Sequence, residues 1–168
     1  MEPLVDVVIE DPRWEAFGLE PVADRAVRAA LMFSGLPQEG LTLCLMGCDD
    51  TRIALLNAAF RDKPGPTNVL SWPDTDLSPD EDGMLPQMPA IGPQDAPEAL
   101  GDIAIAYDTC ANEAAEAGKS LTDHVTHLVV HGLLHLLGYD HTRDGDAARM
   151  EAAEVQILAS LGLSDPYS

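Results

Sequence analysis

Residues 121–141 read LTDHVTHLVVHGLLHLLGYDH, and this stretch predicts a long apolar helix that carries a group of histidines. His131 and His135 are four residues apart, so on a helix their side chains lie on one face, one turn apart. Gly138 is expected to end the helix, because glycine adopts the left-handed conformation of a helix C-terminus at little cost. The chain then reverses and can return His141 to the first two histidines. We therefore predict a helix over 121–137 and three imidazoles that converge on one point.

Three convergent imidazoles are typical of a catalytic zinc site. Structural zinc usually has four protein ligands, most of them thiolates, whereas catalytic zinc keeps one position of its tetrahedron open for water. We expect one Zn²⁺ per chain, bound by His131, His135, His141 and one water molecule. The same three histidines are then the candidate catalytic residues.

Two further residues are candidates for supporting these ligands. Asp140 directly precedes the third histidine, and a nearby carboxylate can orient a metal-bound imidazole through its other N–H group. Asp140 can equally cap the turn in which it lies. His127 is one helical turn before His131, where it either supports the metal ligands or packs as an ordinary surface residue. The sequence leaves both alternatives open.

The spacing H-x-x-x-H-x-x-G-x-x-H is also that of the metzincin peptidases. Those enzymes need a glutamate directly after the first histidine, because its carboxylate acts as the general base. In this chain that position is Gly132, which has no side chain. A zinc peptidase is therefore the least favoured of the functions considered.

Hydrophobic patterning predicts an α+β fold that resembles α/β folds in the alternation of its strands and helices. We expect a small mixed four-stranded sheet packed by about five to six helices, in a single domain that spans residues 1–168. Period-two alternation and β-branched residues predict four strands at Val5–Ile9, Leu41–Met46, Thr67–Trp72 and Gly101–Ala106. Helical periodicity and capping residues predict helices at Pro21–Phe33, about 51–60, Tyr107–Ala117, Leu121–Leu137 and Asp144–Leu161.

A long acidic, proline-rich loop, residues 73–99, is inserted between the third and fourth strands. It contains seven Asp and Glu residues, six prolines and no Lys or Arg. Such a composition is typical of a solvated, partly disordered segment. A loop of this length inside a compact domain can alternatively serve as a lid over a site.

The net charge of −20, from 29 acidic and 9 basic residues, is unfavourable for binding nucleic acid over the whole surface. A polyanionic substrate therefore needs a local basic patch. Arg61 and Lys63 form the only basic pair separated by a single residue, and the arginine fork suits phosphate oxygens. The sequence shows neither a secretory signal nor a membrane-spanning stretch, so we expect a cytoplasmic protein that binds no membrane and no DNA.

Several segments together resemble the YbeY family of bacterial metal-dependent endoribonucleases. The histidine string H-G-x-L-H-L-x-G-Y-D-H matches the family signature, which itself has glycine at the second position. The similarity extends from about Leu41 to Gly162, through Phe60-Arg61, the segment Pro66–Pro73, the strand Leu100–Ile105, and Met150, Glu151 and Glu154 in the last helix.

The resemblance implies a zinc-dependent endoribonuclease that cleaves single-stranded RNA. It further implies a role in 16S ribosomal RNA 3′-end maturation and in ribosome quality control, with Arg61 needed for activity. As the local basic pair, Arg61 and Lys63 are the candidates for binding the substrate. An alternative is a non-catalytic ribosome assembly factor with a structural zinc, because the acidic surface suits the small subunit's basic ribosomal proteins as partners.

Overall fold

The computed structural model describes residues 3–167, and its central element is a four-stranded sheet. The strands are β1 (Val5–Ile9), β2 (Leu41–Cys48), β3 (Val69–Pro73) and β4 (Glu98–Ala106). They lie in the order β1-β2-β4-β3; β1, β2 and β4 run parallel, and β3 runs antiparallel to β4. The predicted mixed sheet is confirmed.

Six helices surround the sheet within residues 3–167. They are α1 (Arg13–Phe17), α2 (Leu19–Phe33), α3 (Asp50–Arg61), α4 (Tyr107–Ala117), α5 (Leu121–Leu136) and α6 (Asp144–Ser160). These elements confirm the α+β fold with a single domain. None of the helices in the described part of the chain has the length and apolar character needed to cross a membrane.

Helices cover both faces of the sheet, because successive side chains of a strand point to opposite sides. One face joins the large core cluster that includes α2 and α5, and its strand residues are Leu43, Leu45, Ile103 and Ile105. The opposite face packs against Ile53 of α3 through Met46, Ala104 and Ala106. The alternation that predicted β2 arises because its residues on the first face are buried, whereas those on the opposite face are half-buried up to Met46.

Gly132 brings α5 close to the sheet. A Cβ atom at this position would lie 3.2 Å from Cδ1 of Ile103 on β4, which is tighter than ordinary van der Waals contact. Close packing at Gly132 sets the height of the helix above β4. It thereby fixes where the histidines of α5 lie relative to the strands.

The structure differs from the prediction mainly at element ends and at α1. The five-residue helix α1 was not predicted, since a segment this short shows no helical periodicity. Its fully buried Trp14 holds the helix in place, because the Nε1–H group donates to the Cys48 carbonyl at 2.9 Å. Strand β4 begins at Glu98 instead of Gly101 because residues 98 and 99 pair with Leu41 and Thr42 of β2.

The irregular part of the acidic loop connects β3 to β4 over residues 74–97 and is anchored to α6. Arg143 donates to the carbonyls of Pro79 and Asp80 at 2.9 and 3.2 Å, and Arg149 donates to the Gly83 carbonyl at 2.6 Å. Basic side chains at the N-cap (Arg143) and within α6 (Arg149) thus hold the acidic loop through its backbone. Beyond these anchors, the loop exposes four large apolar side chains, at Met84, Leu85, Met88 and Ile91.

Candidate metal centre

Helix α5 places two imidazoles side by side at its C-terminal end. Nε2 of His131 lies 3.1 Å from Nε2 of His135, and the ring centroids are 4.6 Å apart. Both rings are partly buried. The i, i+4 spacing therefore brings the two nitrogens to one point.

The turn after α5 brings the third imidazole to the same place. The Tyr139 amide donates to the Leu134 carbonyl at 3.0 Å, and Gly138 has the left-handed φ of +100° that the reversal needs. The ring of His141 then lies 5.7 Å from that of His131 and 5.1 Å from that of His135, measured between centroids. One nitrogen from each of the three residues lies within 4.8 Å of the others.

Hydrogen bonds at the far side of two rings determine where their protons lie. Nδ1 of His135 donates to the Tyr139 carbonyl at 3.0 Å, and Nδ1 of His131 donates to the Glu154 carboxylate. A carbonyl and a carboxylate can only accept, so in a neutral imidazole the proton is on Nδ1 in both cases. Both Nε2 atoms therefore present a lone pair to the shared point.

This arrangement fits a transition-metal ion. Two bare nitrogens 3.1 Å apart repel each other unless a cation lies between them, and two nitrogen ligands of tetrahedral zinc are about 3.3 Å apart. Burial, together with the positive charge of His131 and His141 when they are protonated, lowers the pKa of His135 to about 4. His135 is thus neutral near pH 7, as metal binding requires.

Glu154 of α6 is the functional residue that the motif alone did not identify. Its side chain is fully buried, and besides His131 it accepts hydrogen bonds from Nε2 of His127 at 3.2 Å and from the hydroxyl of Tyr167. Although burial by itself would raise the pKa of Glu154, these hydrogen bonds lower it to about 2. The carboxylate therefore stays ionised and fixes the orientation of the His131 ring.

The sequence contains a pattern from which a special role of Glu154 could have been predicted. The buried face of α6 includes Met150, Ile157 and Leu158, and Glu154 falls among them at helical spacing. An acidic residue on an apolar helix face is expected to have a buried partner. The sequence could not name that partner, because His131 is distant along the chain.

A cavity of about 370 Å³ opens over the histidines and contains both predicted basic residues. Arg61 is the last residue of α3, and its Nη2 donates to the Ser71 carbonyl of β3 at 2.9 Å. Lys63 follows in a turn held by Asn57, whose carbonyl accepts from the Lys63 amide at 3.3 Å. The two cations thus line the same cavity as His131, and His127 lines it too.

Asp140 lies in a second cavity, of about 510 Å³, that adjoins the first at Arg61, Ser71, His135 and His141. Its Oδ1 accepts from the backbone amide of His141 at 2.7 Å. Partial burial would raise the pKa of Asp140, but hydrogen bonds from this amide and from Thr142 keep it below its usual value. The observed contact is that of a turn cap; the side chain is not bonded to an imidazole.

The position at which a metzincin carries its glutamate is Gly132, which lines the cavity together with His131 and His135. A Cβ atom at Gly132 would lie 3.2 Å from Cδ1 of Ile103, so a larger side chain at this position would be crowded against the sheet. The residue present has no side chain and supplies no carboxylate. The geometry argues against peptidase chemistry.

Comparison with known proteins gives consistent matches over nearly the whole chain. The sequence model described as Endoribonuclease YbeY matches residues 9–162. Curated proteins of that description are similar over most of their length. One from Cereibacter sphaeroides is 59% identical over 99% of this chain and 100% of its own, and one from Rhodopseudomonas palustris is 44% identical over 99% and 82%.

Among solved structures, the fold matches the solution structure of a protein from Thermotoga maritima. The TM-score is 0.54 at 17% identity, covering 98% of this chain and 99% of that one. At this identity the likeness concerns the fold alone. With the family match and the close relatives, it leads to one conclusion: the chain belongs to the YbeY endoribonuclease family.

Proposed function

We propose that this protein is a zinc-dependent endoribonuclease, a hydrolase that cuts single-stranded RNA at the histidine cluster. The observation that carries the proposal is the position of Arg61 and Lys63 in the same cavity as His131, His135 and His141. A cluster of metal ligands beside a phosphate-binding fork is what phosphodiester hydrolysis requires. The descriptions of the relatives name an endoribonuclease.

The metal we propose is a single Zn²⁺ held by the three histidines, with water in the fourth position. An all-imidazole donor set suits zinc better than magnesium or calcium, which prefer oxygen ligands. When bound at such a site, zinc activates water at neutral pH and polarises a phosphoryl oxygen. No thiolate or fourth protein ligand joins the cluster among the described residues, which favours a catalytic site over a structural one.

The chain's own side chains have distinct roles in this mechanism. The guanidinium of Arg61, fixed by its bond to the Ser71 carbonyl, binds the scissile phosphate and offsets the negative charge that grows on it during cleavage. Lys63, which is exposed at the cavity edge, binds a neighbouring phosphate. Glu154 holds the proton on Nδ1 of His131 and so keeps Nε2 available.

We propose single-stranded ribosomal RNA as the substrate. The protein then acts in the cytoplasm, in 16S 3′-end maturation and in ribosome quality control. Support comes from the resemblance of the histidine string to the family signature and from the charge distribution. With a net charge of −20, the protein as a whole repels RNA, so binding at the histidines needs the local positive charge of Arg61 and Lys63. A flexible single strand can lead one phosphate into this cavity more easily than a rigid duplex can.

The direct test combines metal analysis with a cleavage assay on a single-stranded RNA. The parent protein is expected to contain one zinc per chain and to cut the RNA, and His131→Ala is expected to lose both. His124→Ala is the matched control, since His124 lies on the same helix but bonds Glu113 at 2.9 Å outside the cluster. Full cleavage by a metal-free His131→Ala protein would refute the proposal.

A second candidate, a ribosome assembly factor that acts by binding, is favoured by the excess of 20 negative charges, which suits basic ribosomal proteins. The two functions make different demands on the metal site. If binding is the main function, a folded His135→Ala protein still supports ribosome maturation in cells that lack the wild-type protein. If RNA cleavage is the main function, the His135→Ala protein does not support ribosome maturation.

A further inference from the structure

Tyr167 returns to the metal centre after α6 has ended and becomes part of the cavity wall. Helix α6 ends at Ser160, and the Leu163 amide donates back to the Leu158 carbonyl at 2.9 Å. From there the chain runs to Tyr167, which lines the same cavity as Arg61 and His131. A residue far along the chain is thereby placed beside the proposed phosphate site.

Two contacts hold the ring of Tyr167 in one orientation, and a third holds its backbone. Its hydroxyl donates to Oε2 of Glu154, and its backbone amide donates to Oδ1 of Asp165 at 2.7 Å. Its ring packs edge-to-face on His127, with 6.1 Å between centroids and an angle of 90°. The ring is therefore fixed in position.

The same ring remains open to a ligand. Tyr167 is 49% exposed, although its hydroxyl reaches the fully buried Glu154. An aromatic ring that is held at its polar end and its edge, and is exposed otherwise, is a suitable surface for stacking. Arg61 and Lys63 supply the phosphate contacts of this cavity, so the aromatic surface is left for a base.

Resting on the endoribonuclease function proposed above, we propose that Tyr167 is the stacking residue for one nucleobase of the RNA substrate. The phosphate backbone lies along Arg61 and Lys63, and a base beside the scissile phosphate turns onto the Tyr167 ring. Stacking of this kind tolerates all four bases, because each has a π-face. It also requires a base that is free of its duplex partner, which makes Tyr167 a source of single-strand specificity.

The test measures kcat and KM of Tyr167→Phe, Tyr167→Leu and Tyr167→Ala on a short single-stranded oligoribonucleotide. Tyr167→Phe retains the ring and removes only the bond to Glu154. Relative to this variant, Tyr167→Leu and Tyr167→Ala are expected to raise KM roughly five- to a hundredfold, the range for loss of one base–aromatic stack. Equal KM values for the phenylalanine and leucine variants would show that the ring only fills space, and would overturn the proposal.

A second measurement separates stacking from a purely structural role in holding Glu154. A series of the same RNA is made in which one nucleotide at a time lacks its base. One abasic position next to the cut is expected to raise the KM of the parent protein to the level of Tyr167→Ala and to change nothing further in that variant. If every abasic position affects Tyr167→Ala as much as the parent, no base stacks on Tyr167.

These outcomes are distinguishable from failure of the proposed function. If the parent protein cuts no RNA, the endoribonuclease proposal itself fails. If the parent cuts RNA and all three Tyr167 variants have the parent's KM, only the stacking proposal fails. Zinc content, measured in each variant, shows whether any effect comes from loss of the metal.

Discussion

Glu154 has no contact with solvent, and each of its carboxylate oxygens accepts a hydrogen bond from an imidazole, Oε1 from His131 and Oε2 from His127. The local spacing of the histidines within eleven residues was enough to predict that His131, His135 and His141 converge on one point. The carboxylate that orients one of them could not be predicted with its partner, because α6 meets α5 only through the tertiary fold. The sequence thus allowed prediction of residues whose arrangement depends on nearby positions in the chain. It did not allow prediction of pairs formed between residues of different helices or strands.

Replacing Glu154 with Gln is expected to weaken zinc binding about 10- to 100-fold, because the amide no longer supplies the charged acceptor that orients His131. Zinc affinity is measured by competition with a chromophoric chelator. Glu151→Gln, an exposed position on the same helix, is the control and should bind zinc as the parent does. Equal affinities for the two variants would mean that Glu154 does not support the metal site.

Replacing Arg61 with Ala is expected to lower kcat for RNA cleavage by about 10²–10³-fold while leaving the zinc content unchanged, since Arg61 acts on the phosphate and not on the ligands. Arg52→Ala is the control, because Arg52 lies on the same helix but pairs with Glu10 at 3.4 Å. Near-normal turnover of Arg61→Ala would remove this residue from the mechanism.

At the scale of elements, the helix–turn unit of α5 connects the fold to the site. Its boundaries were predicted closely, as were those of α4, because helical periodicity agrees with the glycines that follow both helices. In the structure the side chain of Ser120 caps the start of α5 by accepting from the Asp123 amide. Helix α1 was not predicted, because five residues are too few to show helical periodicity and the helix is held by tertiary contacts of the buried Trp14. For Gly138, the position at a helix end could be predicted from the sequence. Its contact with the acidic loop could not, because that contact depends on the tertiary fold.

A Gly138→Ala substitution is expected to be more destabilising than Gly162→Ala. Both residues have a left-handed φ, of +100° and +79°, which costs a non-glycine residue about 1–2 kcal/mol. A Cβ at Gly138 would in addition lie 2.5 Å from the Leu77 carbonyl oxygen, whereas one at Gly162 meets nothing within 4 Å. Chemical denaturation measures the difference.

The same pair of variants reports on the metal site. Gly138→Ala should also weaken zinc binding, because the displaced turn carries His141, and Gly162→Ala should not. Equal stability and equal zinc affinity in the two variants would contradict the role given to this turn.

At the scale of the whole molecule, the acidic net charge limits where RNA can bind. The fold class, the mixed sheet and the strand count were predictable from patterning, whereas the anchoring of the acidic loop to Arg143 and Arg149 depends on long-range contacts. Arg61 and Lys63 are the basic side chains that line the cavity over the histidines. The predicted local basic patch is therefore small.

With only these two cations at the phosphates, RNA affinity should depend weakly on salt. Each phosphate contact on a single strand contributes a slope of about −0.7 in log K against log salt concentration, so the expected slope is about −1.4. Lys63→Ala should reduce it to about −0.7. A slope of about −4 or steeper in the parent protein would show that RNA uses a cationic surface outside this cavity.

The central claim is that His131, His135 and His141 bind one ion and leave a fourth position to solvent. X-ray absorption spectroscopy at the zinc edge of the loaded protein tests it directly. The geometry predicts three imidazole nitrogens and one oxygen at about 2.0–2.1 Å. A spectrum with sulfur ligands, with four protein ligands and no water, or unchanged in His141→Ala would contradict the claim.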